Sequence, residues 1–169
     1  LIKLENEYSS GEQQPARVDI SVEGLTQEES TALALKLLGR DDEAAREMAT
    51  RIAKESGGWP FFVWELTQGV HDDPDIARGS LELDDVIWTR ACRLPEETRR
   101  FLELVAVVAR PVPAAEAYRA LGEVERGQSL LAQLRTTSFV RTTSSEPQGT
   151  IVESYHDRIR ESVSHRLDE

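Results

Sequence analysis

The chain has 169 residues, with 31 acidic residues against 20 lysines and arginines, for a formal net charge of −11. That length suits one compact domain or two small ones, and the acidic field opposes autonomous binding to phosphate backbones or anionic lipid. The single cysteine, Cys92, excludes an internal disulfide and a cysteine-rich zinc site, and no apolar run of about 18 residues offers a membrane span. No signal peptide is recognisable, which points to a cytoplasmic protein. Leu1 stands where an initiator Met is usual, so a piece of a longer protein is expected.

The opening stretch, Leu1 to Ala16, is polar and reads as a loop or frayed end, with a short strand at Leu1–Leu4. Val18-Asp19-Ile20-Ser21-Val22 alternates apolar and polar, the period of a half-buried strand. Thr26-Gln27-Glu28-Glu29 forms a capping box that opens a helix whose apolar face holds Leu33, Ala34, Leu37 and Leu38, with Gly39 as its C-cap. Asp41 or Asp42 begins a second helix, with Ala45, Met48, Ala49, Ile52 and Ala53 on one side, stopping at Gly57-Gly58. Pro60 suits the first position of a third helix. That helix is apolar over much of its circumference through Phe61, Phe62, Val63, Trp64, Leu66 and Val70, so it is expected to be buried. The polar loop ending at Ser80 divides the chain, with Asp72 to Ser80 as the hinge candidate.

A fourth helix is expected over Leu83–Arg93, with Trp88 in the core. After Leu94-Pro95, a core helix carries Phe101, Leu102, Leu104, Val105, Val107 and Val108. Pro111 and Pro113 end it and start a short helix through Tyr118, and Glu123 to Thr136 makes another with Leu130, Leu131 and Leu134 inward. Phe139–Thr143 and Thr150–Tyr155 then read as a hairpin joined by the Ser144–Gly149 turn. Asp157 is read as the cap of a last helix, with Ile159, Val163 and Leu167 on its apolar face. Helices followed by a two-stranded wing outline a winged helix. The sequence has no phosphate loop, no Gly-x-Gly-x-x-Gly and no His-Glu-x-x-His. His71, His156 and His165 are scattered, so neither a metal site nor a catalytic constellation is assigned, and Cys92 reads as an ordinary helix residue.

Three segments, taken in order, resemble the STAND class of AAA-type ATPases. Gly57-Gly58-Trp59-Pro60-Phe61-Phe62-Val63-Trp64-Glu65-Leu66 is similar to the "G-x-P" segment of that class. Arg93-Leu94-Pro95 followed by Arg99-Arg100-Phe101-Leu102-Glu103-Leu104-Val105-Ala106-Val107 is similar to the helix opening its winged-helix part. Tyr155-His156-Asp157-Arg158-Ile159-Arg160-Glu161 resembles its His-Asp motif, written M-H-D in the NB-ARC relatives. The resemblance implies a mainly α fold: a helical lid subdomain followed by a winged-helix subdomain with one β-hairpin. It divides the chain into residues 1–25 as the end of an ATPase core, 26–71 as the lid and 81–169 as the winged helix. It extends to large bacterial proteins in which a Ser/Thr protein kinase domain precedes such a module.

By that resemblance Pro60 abuts the adenine of a bound nucleotide, with Gly58 beside it, and His156 reaches the β-phosphate of ADP. The plainer alternatives are that Gly58 is a cap and Pro60 starts a buried helix, and that His156 is a structural residue at a strand-to-helix junction. Trp59 is the aromatic to watch for nucleotide or interdomain contact. The phosphate loop and Mg-binding strand of the class are missing, so the chain alone should neither hydrolyse ATP nor bind it tightly. ATP or ADP is then a ligand of the longer protein only. The expected partner is a missing N-terminal ATPase core in cis, beside further protein partners or self-association. The competing readings are a DNA-binding winged helix of a transcription regulator, with Glu123–Thr136 as recognition helix and Arg126, Arg135 and Arg141 as cations, and a nucleotide-free helical interaction scaffold. The charge makes nucleic acid an unfavoured partner.

Overall fold

The computed structural model describes residues 21, 23–73, 79, 81–145 and 149–167. The expected strands at Leu1–Leu4 and Val18–Val22 (Ser21 apart), most of the Asp72–Ser80 hinge and the tip of the Ser144–Gly149 turn lie outside these residues. Among the described residues the fold is mainly α, with eight helices and one three-stranded antiparallel sheet. The chain divides into two compact units, Leu1–Val63 and Trp64–Glu169, the division falling inside the third helix.

In the first unit, α1 spans Gln27–Leu38 and α2 spans Glu43–Glu55. The capping box of α1 is complete. The Thr26 amide donates to Glu29 Oε2 at 2.9 Å, and the Glu29 amide donates to Thr26 Oγ1 at 3.2 Å. These bonds to the ionised form hold the Glu29 carboxyl below its ordinary range. Gly39 closes α1 in the left-handed region at φ 70°. Asp42 is the cap of α2, accepting from the Ala45 amide at 2.8 Å. The two helices pack on each other through Ala34 and Leu38 from α1 and Ala45, Ala49, Ile52 and Ala53 from α2, all buried. Small side chains let helix axes approach closely.

Helix α3 spans Pro60–Asp72. Its apolar circumference is not uniformly covered: Phe62, Val63 and Leu66 are buried, whereas Trp64, expected in the core, is 44% exposed. The inward place beside Trp64 is taken instead by Glu65, which is fully buried.

The second unit continues with α4 (Leu83–Cys92) and α5 (Glu96–Val108). Trp88 on α4 is half-buried. Phe101, Leu102, Val105 and Ala106 face inward from α5, while Val107, expected inside, is 64% exposed. A single helix side can bury only about half the circumference, and Val107 falls beyond that arc. Ala109 ends α5 in the left-handed region at φ 54°. Then comes β1, Val112–Pro113, a strand not expected from the sequence, followed by α6, Ala114–Leu121. Helix α7 is Gly127–Thr136, four residues shorter at its start than expected, because Glu123 is irregular and Val124–Arg126 form a turn. The hairpin is β2 (Val140–Ser145) and β3 (Gly149–Ser154), and α8 is Asp157–His165.

Strand β3 is central, pairing with β1 through Val112↔Val152 and with β2 from Val140↔Ser154 to Ser145↔Gly149. Helix, strand, two helices and two strands with sheet order β1-β3-β2 is the winged-helix arrangement. The prolines flanking Val112 are tolerated because β1 is an edge strand. Leu130, Leu131, Leu134, Phe139, Val140, Val152, Ile159 and Val163 complete the core. Leu167, expected on the apolar face of the last helix, lies beyond its end and is exposed. Helix α8 packs on α4 and α5. A polar seam registers it: Ser162 Oγ donates to Asp84 Oδ1 at 2.6 Å, Arg158 reaches the same carboxylate at 3.2 Å, and Arg166 pairs with Asp85.

Candidate functional site

The residues singled out by the sequence occupy two places, one in each unit. In the first unit, Gly58, Trp59 and Pro60 form the turn from α2 into α3. Gly58 lies at φ 81°, a conformation that favours glycine. Its carbonyl accepts from the Leu25 amide at 2.8 Å, and a Cβ on Gly58 would lie 2.5 Å from the Leu25 carbonyl oxygen. Gly58 therefore lets the chain entering α1 pass against the α2–α3 turn, which a side chain at this position would block. Trp59 and Pro60 are exposed, Trp59 at 53%. Pro60 is the first residue of α3, as expected. Its ring presents an apolar edge with no backbone donor.

In the second unit, His156 stands between β3 and α8. The preceding Tyr155 amide donates to the Phe139 carbonyl at 2.9 Å, fixing where the strand ends. His156 is extended (φ −148°, ψ 150°) and is itself the N-cap of α8. Its Nδ1 accepts from the Arg158 amide at 3.1 Å. This corrects the assignment of the cap to Asp157, which is instead the first helical residue and lies 3.8 Å from Arg160. An imidazole nitrogen two bonds from Cβ reaches the amide that a Ser or Asp oxygen would otherwise satisfy.

The cap dictates chemistry. A nitrogen that accepts cannot carry a proton, so the neutral ring holds its proton on Nε2. Burial pushes the His156 pKa below its ordinary value; Asp157 and Glu161 oppose that, and Arg158 and Arg141 reinforce it. The neutral ring thus caps the helix with one nitrogen and has N–H donor character at the other. A protonated ring would be the stronger partner for a phosphate, but protonation at Nδ1 would break the cap. Close to the start of α8 lies a recess of about 80 Å³ whose lining includes Arg110, Arg160, Glu153 and Asp157. Two cations and two carboxylates cancel formally, so this recess has no net pull on an anion.

Sequence reasoning did not assign Glu65 a role. It pairs with Arg90, whose second nitrogen donates to the Thr137 carbonyl at 2.9 Å and whose guanidinium lies 5.0 Å from the centre of the Phe139 ring. The available signal was one carboxylate inside the otherwise apolar run Phe61–Leu66. Among the described residues no group of three or more His, Cys, Asp or Glu could hold a metal ion, and no helix is long and apolar enough to cross a membrane. Cys92 is free and exposed.

Fold and site together define a mainly helical protein whose second unit contains a small three-stranded antiparallel sheet in a winged-helix order and a histidine-capped last helix. No family model matches the chain, and no curated protein is recognisably similar to it.

Proposed function

We propose that the chain is the lid and winged-helix part of a STAND-type signalling ATPase of the cytoplasm, contributing adenine and ADP-phosphate contacts to a nucleotide-dependent switch. What carries the reading is the location of the His-Asp pair at the junction of the last strand and last helix of a winged helix, downstream of a G-x-P turn with an exposed proline. In this reading the Pro60 ring packs on the purine, since a flat apolar ring with no donor suits a heteroaromatic face. His156 acts as a neutral Nε2–H donor to a phosphate oxygen while Nδ1 keeps α8 capped. The phosphate loop and its Mg-binding carboxylate belong to a core that precedes this chain. Because phosphate contacts dominate such sites, the chain alone binds nucleotide weakly and turns none over.

The transcription-regulator alternative needs free cations on α7, in the turn that leads into it and on the wing. Arg126 is held by Glu97 at 3.1 Å and Arg141 by Glu153 at 2.9 Å, which weighs against it. The test is to express the longer protein that contains this chain and to measure co-purified nucleotide by chromatography after denaturation. ADP near one equivalent, lost in Pro60→Ala and His156→Ala, is expected. A longer protein that lacks a phosphate loop and retains no nucleotide overturns the reading.

A further inference from the structure

We infer that Glu65 and Arg90 form a register-setting joint that lets α3 dock on α4 in one position only, and that they serve uniqueness of docking rather than stability. The observations come from three places in the second unit. Glu65 is fully buried on α3, with Leu66 and Thr67 buried beside it. One of its oxygens pairs with Arg90 of α4; Oε1 has no hydrogen-bond partner among the described residues. On its other side Arg90 donates to the Thr137 carbonyl, just past α7, and lies against the Phe139 ring. Four residues along the same helix, Gly69 sits so close to Val86 of α4 that a Cβ there would lie 3.0 Å from Val86 Cγ1.

These features act together. A buried carboxylate with one unsatisfied oxygen is a poor way to gain stability, because a half-satisfied polar group is inferior to well-packed apolar side chains. Its effect is on alternatives. If α3 slid by a residue or a turn on α4, Glu65 would be a buried charge away from its only described partner, and a side chain would replace Gly69 against Val86. Both penalties arise at once, so a shifted register is disfavoured on two counts. Helix α3 is either docked in this register or undocked with both charges in water. A leucine–methionine pair in place of Glu65 and Arg90 would pack in several registers at similar cost. The joint therefore ties this part of α3 to α4 in a single register.

The test uses the whole chain, its Glu65→Gln variant and the double variant Glu65→Leu/Arg90→Met, each followed by thermal melting and by hydrogen exchange of amides 66–71 in α3 against amides 102–105 in α5. With Glu65→Gln, α3 exchange is expected to accelerate at least tenfold while α5 exchange changes less than threefold. The double variant is expected to melt at or above the parent temperature and to show more than one set of amide NMR signals for residues 66–71, against one set in the parent. Unchanged α3 protection in Glu65→Gln, equal acceleration of α3 and α5, or a double variant with a single set of amide signals for residues 66–71 overturns the inference. A double variant that melts below the parent, or fails to fold, also overturns it, since the pair would then be an ordinary stabilising contact.

Discussion

His156 couples helix capping to proton binding, and the sign of that coupling follows from the direction of its pKa. Its folded-state pKa lies below the ordinary value, so the unfolded chain binds the proton more readily. Stability from this residue is present in full above the unfolded value near ~6.5 and is lost as pH falls through the window beneath it. His156→Asn keeps a side-chain acceptor that does not titrate and should flatten this part of the stability profile between pH 5 and 7. His156→Ala removes the cap and should cost at most about 1 kcal/mol at pH 7.5. Denaturant unfolding across that pH range, with the parent as reference, measures both. A parent and His156→Asn with parallel profiles would show that the cap is not proton-linked. Nitrogen chemical shifts of the ring should independently report the proton on Nε2.

The two glycines before Trp59 differ in what a methyl group would meet. Both have positive φ, Gly57 at 58° and Gly58 at 81°. At Gly57 the nearest atom to an added Cβ is 4.0 Å away, so alanine costs only the left-handed backbone penalty of about 1–2 kcal/mol. At Gly58 the methyl also runs into the Leu25 carbonyl oxygen, which is backbone and has little room to yield. Gly58→Ala should therefore destabilise clearly more than Gly57→Ala in the same unfolding assay. Equal effects would mean that the Leu25–Gly58 contact is not what Gly58 is for.

At the scale of elements, the junction of α6 and α7 sets packing against propensity. Gly127 opens α7, where alanine is intrinsically the better helix former by about 1 kcal/mol. A Cβ at that position would lie 2.3 Å from the Tyr118 ring of α6, which also meets Phe101 of α5 edge-on at 5.7 Å. Gly127→Ala should therefore destabilise by about 1–3 kcal/mol, because the ring is itself fixed by Phe101. In Tyr118→Ala the same glycine substitution should become neutral or favourable, a non-additivity that a double-mutant cycle reads directly.

Helix α7 also shows where the sequence stopped being legible. Its apolar spacing through Leu130, Leu131 and Leu134 was readable, but its start was not, since Glu123–Arg126 are compatible with a helix and lie outside it here. β1 was invisible because a two-residue strand, one of them proline, has no periodicity; its identity comes only from pairing with Val152 and Ile151. The cap of α1 was legible because Thr26 and Glu29 cap by local bonds, and that of α2 was narrowed to Asp41 or Asp42, two adjacent residues of equal capping power, of which Asp42 caps. The cap of α8 was misplaced because an aspartate stands beside the histidine that does the capping. Pro60 was legible as a helix start, but its exposure was not, since burial of α3 depends on which of its sides other elements cover. The partner of Glu65 lies 25 residues away on α4, a tertiary fact that spacing along the chain does not encode.

At the scale of the whole molecule, charge weighs against DNA binding by the winged helix. A winged helix that binds duplex DNA must gather cations on its recognition helix and wing, because release of counterions supplies most of the affinity. This chain has net charge −11, and Arg126 and Arg141, two of the three cations available to such a face, already meet carboxylates. Freeing them for phosphate would leave Glu97 and Glu153 unpaired close to the DNA. Fluorescence anisotropy with a labelled mixed-sequence duplex should accordingly show no binding tighter than about 100 µM at 150 mM salt, weaker than ordinary non-specific binding of a basic domain. Glu97→Gln and Glu153→Gln together remove two negative charges and release both arginines; even so, weak binding is expected, since the remaining field is still strongly negative. Submicromolar binding by the parent chain, falling steeply with added salt, would reinstate the transcription-regulator reading and remove the argument from ion pairing.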